Sequence, residues 1–166
     1  KNYCDGGFEG TQHGTAVAEI VHELAPGADL ILLCVDGSTD ITQAIAFADN
    51  NGASIIQMSL GFFNTGRGDG SGVMAPLVAD ARSRGIAWIN SAGNYREKHW
   101  SGTGTDLDAD GYLELTDGQG RSLGETISFT MSTYAGLSVY MKWDEWDTPS
   151  SCDLDLELWE SEAGSE

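Results

Sequence analysis

Three short constellations in this chain combine residue types that can do chemistry. The first is His13-Gly14-Thr15-x-Val17-Ala18-x-Ile20. A histidine on the first turn of a helix presents its ring beyond the helix end, where it can accept and return a proton. Gly14 lets a second backbone approach closely. The second is Ser91-Ala92-Gly93-Asn94, directly after an apolar run that reads as a strand. In an open parallel sheet, ligands gather at the carboxyl ends of strands. An asparagine there can aim its side-chain N–H₂ at a developing negative charge. The third is Met58-Ser59-Leu60-Gly61, again leaving a strand, this time for a glycine-rich loop. Taken singly, each also fits a plainer reading: a helix-start histidine, a Gly-Asn turn and an ordinary strand end.

The elements that must position these residues follow from periodicity. Val17, Ile20, Val21 and Leu24 fall at i, i+3, i+4 and i+7, which predicts a helix over 13–24 closed by Pro26-Gly27. Residues 29–35 are almost wholly apolar, as expected of a strand buried on both faces. Ile41, Ala44, Ile45 and Ala48 share one face of a predicted helix over 39–51. A strand over 53–60, a glycine-rich loop over 61–72, a helix over 73–84 and a strand over 86–90 complete the alternation. Ser71 reads as the N-cap of that last helix. Strand and helix in turn, with mostly short connections, predict an α/β fold: a parallel sheet flanked by helices.

After Asn94 the grammar changes. Short strand candidates over 111–115, 125–133, 136–143 and 152–159 are separated by Gly, Asp and Pro clusters, so this part reads as mostly antiparallel β, in sandwich form. The expected division is 1–95 and 96–166. The acid is divided unequally too: residues 1–95 carry a net charge of −6 and residues 96–166 a net of −12. Within the second part, Asp106-x-Asp108-x-Asp110-Gly111, followed by Glu114 and Asp117, approaches the spacing of a calcium loop. The plain alternative is a solvated acidic turn. Among the three cysteines, Cys34 reads as a small buried hydrophobe, and Cys4 and Cys152 are free to pair.

Whole-chain composition narrows the function classes. Eight Lys+Arg against 26 Asp+Glu give a formal charge of −18 over 166 residues. That excludes nucleic acid as a natural partner, and an anionic membrane surface equally. The longest wholly apolar run, 30–35, is six residues, far short of a membrane span. The chain opens on Lys1 without a leader and so reads as an excerpt. A sheet lacking neighbours exposes edges, and self-association of such an excerpt is expected.

In their order, and on these elements, the three constellations resemble the subtilisin-like serine peptidases, over about residues 10–95. That family carries its catalytic histidine in an H-G-T-x-V-A motif, a substrate-binding S-L-G segment, and a G-N pair whose asparagine completes the oxyanion hole. The matching positions are His13, then Ser59, Leu60 and Gly61, then Asn94. The resemblance implies peptide or protein substrates and acyl-enzyme chemistry with His13 as general base. It also implies Asn94 as oxyanion donor, Ser59 to Gly61 pairing with substrate backbone, and Ser91, Ala92 and Gly93 as a wall of the first specificity pocket. No cofactor is required for that chemistry, calcium being an additional ligand. A secreted or extracytoplasmic protein is expected.

The departures are specific. Asp5 lies eight residues before His13 and outside the family's D-[ST]-G context, and no G-T-S-x-A follows Asn94. The triad aspartate and serine are therefore expected outside this chain, leaving the isolated chain inactive. Two other classes fit the same residues: a binding module that keeps the fold without the triad, and a calcium-dependent adhesive β module.

Overall fold

A computed structural model describes residues 1–5, 12–132, 136–144 and 153–159. The chain forms two compact units, one of Lys1–Ser91 with Tyr140–Glu166, the other of Ala92–Val139.

The first unit is α/β. Its elements are α1 (His13–Leu24), α2 (Ser38–Asn50), β1 (Ile55–Met58), α3 (Met74–Ser83) and β2 (Ala87–Asn90). β1 and β2 run parallel, with Ile56 opposite Trp88 and Met58 opposite Asn90. Parallel neighbours need a crossover, and α3 supplies it. Ile41, Ile45 and Ala48 of α2 meet Ala81 of α3 and Ile86 in a buried core, against which Leu33, Val35, Ile56, Met58 and Trp88 pack. Ile55 and Ile89 alternate to the other sheet face and stay exposed, so only one face of the pair is covered. α2 starts where the Asp40 carboxylate accepts the N–H groups of Asp36 and Gly37, an acid placed to complement the helix dipole. Arg84 ties α3 to α2 through Asp80 and Asp49 at 3.0 and 2.9 Å.

Three expectations change here. Among the described residues, the run over 29–35 forms one bridge, near its end, where Asn2 and Cys34 pair in parallel. Leu30, Ile31 and Leu32 are exposed, whereas Leu33 and Val35 pack against the core, so the run is covered only toward its C-terminal end and not on both faces throughout. α1 forms as predicted, but none of its residues is buried, and Leu24 is 83% exposed. Cys4 pairs with Cys34, not with Cys152, which lies outside the described residues. The parallel bridge explains the pairing, since it brings the two Cα atoms to 5.5 Å. A fourth correction is local: α3 is preceded by Val73 as cap, while Ser71 donates its N–H and hydroxyl to Asp69. Those two bonds hold the Asp69 carboxyl below the usual carboxylate range.

The second unit holds a three-stranded antiparallel sheet of β3 (Gly102–Thr105), β4 (Glu114–Asp117) and β5 (Ser122–Gly124), with β4 central. A Cβ on Gly102 would collide with the Thr116 carbonyl, so the β3–β4 approach requires glycine there. The sequence pattern predicts strands over 125–133, 136–143 and 152–159. Among the described residues of those spans, none lies in a ladder. Alternation marks a residue pattern that suits a strand, but the strand needs a neighbour to bond with. No helix among the described residues is long and apolar enough to cross a membrane.

Candidate functional site

His13 opens α1; a side chain at the Gly14 that follows would meet none of the described residues, so the close backbone approach expected there is not made. Its Nε2 lies 3.1 Å from the carbonyl oxygen of Ser59. A carbonyl only accepts, so this contact is made by the Nε2–H tautomer. The structure thus joins the first and third constellations at one point, just past the C-terminal end of β1. Ser59 Oγ accepts from Gln57 Nε2 at 2.6 Å. Its backbone carbonyl, and not its hydroxyl, is the group that meets the imidazole.

The second constellation begins at the adjacent strand end. Ser91 N–H donates to the Met58 carbonyl at 3.2 Å, carrying the parallel ladder one residue past the strands. Leu60 is reached from β2 as well: Asn90 Nδ2 lies 3.2 Å from its carbonyl. Gly61 follows, with Phe63 as its nearest neighbour. Ala92, Gly93 and Asn94 belong to the second unit. There Gly93 takes a φ of +81° beside the Tyr95 ring, a conformation that favours glycine. Asn94 follows at an exposed bend. Asp5 donates its N–H to Asp36 Oδ2 at 3.2 Å, so it is bound to the loop before α2.

The acidic turn of the second unit gathers three of the five carboxylates that its spacing singles out. Carboxylate oxygens of Asp106, Asp108 and Asp110 lie within 4.8 Å of one another. Asp106 accepts the N–H groups of Ala109 and Gly111, and Asp110 accepts that of Tyr112. Glu114 accepts the Leu107 N–H and forms a second group with Asp108 and Glu125. The donor set, all hard oxygens, suits calcium. Asp117 is directed elsewhere: it accepts from Gln119 and Arg121 N–H groups and pairs with the Arg121 guanidinium at 3.1 Å. The Arg121 N–H above all holds its carboxyl below the usual range. Glu125 was not foreseen. The Asp110 charge, then burial, then Asp108, Glu114 and Asp106 push its carboxyl above the ordinary value. It lies outside the Asp-x-Asp spacing, and the pairing of β5 with β4, which sets Gly124 opposite Leu115, brings it to the cluster.

The profile of the subtilase family matches residues 7–127, most of the chain. The chain therefore belongs to the subtilase family, a family of serine peptidases. No curated protein and no solved structure matches it significantly.

Proposed function

We propose that this chain is part of a secreted subtilisin-like serine endopeptidase that cleaves peptide bonds through an acyl-enzyme. His13 is the general base that takes the proton of a serine hydroxyl and returns it to the leaving amine. Asn94 donates to the oxyanion. Ser59, Leu60 and Gly61 pair with the substrate backbone, and Ser91, Ala92 and Gly93 form a wall of the first specificity pocket. The orienting aspartate and the nucleophilic serine come from polypeptide flanking this chain, because Asp5 lacks the family context and no G-T-S-x-A is present.

The observation that carries this reading is the 3.1 Å contact between His13 Nε2 and the Ser59 carbonyl. It brings two separate family motifs to one strand end. The Cys4–Cys34 disulfide supports an extracytoplasmic setting, where such bonds persist. We read the α/β unit as part of a subtilisin-like catalytic domain and the antiparallel sheet of the second unit as belonging to a β insert of sandwich type. For the acidic turn we propose calcium as the partner of Asp106, Asp108, Asp110 and Glu114. Calorimetry with calcium that gives neither heat nor thermal shift overturns that assignment.

The peptidase reading is tested on the full polypeptide that carries this chain. Serine-directed fluorophosphonate should label it, peptides should be turned over, and His13→Ala should abolish both at an unchanged fold. The chain by itself should give no turnover. Inhibitor-sensitive proteolysis by the chain alone, or a full polypeptide that neither labels nor hydrolyses, overturns the reading. The latter outcome with retained peptide affinity would identify a binding module instead.

A further inference from the structure

Asn90 stands outside the motifs that carry the family resemblance, yet its side chain holds two of them. It closes β2 opposite Met58. Its Nδ2 donates to the Leu60 carbonyl at 3.2 Å and to the Ser91 carbonyl at 2.9 Å. One carboxamide thus spans the two chain segments as they leave the sheet, just beyond the bond from Ser91 N–H to Met58 O. Asn90 is exposed. A hydrogen bond in that setting adds little to stability, because water competes for both partners. What it fixes is direction.

We infer that Asn90 is a positioning residue that decides which edge of Ser59-Leu60-Gly61 meets an extended peptide, an inference that rests on the peptidase reading. Successive residues of an extended backbone turn their polar groups to opposite edges. The Leu60 carbonyl is taken from the β2 side by Asn90. The Ser59 carbonyl is met by His13, from α1. By the same alternation Gly61 turns its N–H and C=O to the Ser59 edge. Residues 59 and 61 then offer their backbone groups together to an added strand, and Gly61 carries no side chain to obstruct it. Without the Asn90 donor, the Leu60 carbonyl is free to turn toward solvent and the alternation is no longer pinned. The loss falls on peptides long enough to reach Gly61, and not on proton transfer at His13.

The experiment compares two substrates on the full polypeptide: an acylated single-residue anilide, and a tetrapeptide anilide ending in the same residue. Asn90→Asp keeps the shape and removes the donor; Asn90→Ala removes both, and serves if the new carboxylate disturbs folding. In either variant KM for the tetrapeptide should rise about tenfold, the loss of roughly one hydrogen bond. Its kcat, and both constants for the short substrate, should hold. Equal losses on both substrates, a fall in kcat alone, or an unmoved tetrapeptide KM in an active enzyme overturns the role of Asn90. A wild-type polypeptide that turns over neither substrate and resists fluorophosphonate overturns the peptidase reading itself, and the inference with it.

Discussion

The imidazole of His13 and the backbone carbonyl of Ser59 meet across 46 residues of sequence, Nε2 to O at 3.1 Å. His13 opens α1 and Ser59 directly follows β1, and neither motif contains a signal for the other. A nitrogen that donates to a carbonyl cannot at the same moment accept a proton. To act as a base, the His13 ring must leave this contact and present an unprotonated Nε2. On the proposed peptidase reading, the contact is a resting geometry.

The first prediction follows from that geometry. In the full polypeptide, His13→Ala should lower turnover by about 10²–10⁴, the usual contribution of a positioned general base. The melting temperature should hold, because His13 is exposed. Ser59→Ala should be mild by comparison. It removes the Gln57 contact and leaves the carbonyl that His13 meets. Steady-state kinetics beside a thermal melt checks both.

Asn94→Ala should lower kcat with little change in KM. The expected loss, on the order of 10²–10³, is the magnitude known for an oxyanion asparagine in subtilisin itself, not one calculated for this chain. A variant in which KM rises and kcat holds would assign Asn94 to ground-state binding instead.

Much of this was legible in the residues. The 3.6-residue spacing of Ile41, Ala44, Ile45 and Ala48 marked the face that α2 buries. Two of the family motifs marked strand ends, and the third marked the start of α1. The rest depended on pairing, which periodicity does not encode. Residues 29–35 looked like a central strand, because apolarity reports what a segment tolerates and not which neighbours it has. β3, Gly-Thr-Gly-Thr, has no apolar alternation and was invisible; its signal is the glycine that lets it approach Thr116. Cys34 sat in an apolar run and looked like a buried thiol, while its partner lay 30 residues away. Glu125 and Asn90 act through chains that return to them, and no local motif announces either.

Core packing gives a prediction independent of catalysis. Ile45 is fully buried between α2 and its neighbours. Ile45→Ala should cost about 2–5 kcal/mol, a transfer loss plus a cavity. Ile20→Ala, on the exposed face of α1, should cost far less. Denaturant titration of both variants checks the contrast.

The acidic cluster predicts a pH dependence. The Asp110 charge, burial and the neighbouring carboxylates raise the Glu125 carboxyl above its ordinary value of 4.5. Between the two values the folded unit holds more protons than the unfolded chain, so stability falls as pH rises through that window. Below the ordinary value no penalty is present; above the raised value it is complete. Glu125→Gln should therefore raise Tm at neutral pH in the presence of a chelator and leave it unchanged in acid. Added salt should shrink the difference by screening. Melts across pH, with and without the substitution, decide it.

The bond between Cys4 and Cys34 closes a covalent ring, and α1 with His13 lies inside that ring. A cut anywhere between the two cysteines therefore opens the backbone without releasing either piece. Nicked protein should run as one band until a reductant is added and as two afterwards. The imidazole would stay leashed to its scaffold through damage that would otherwise carry it away.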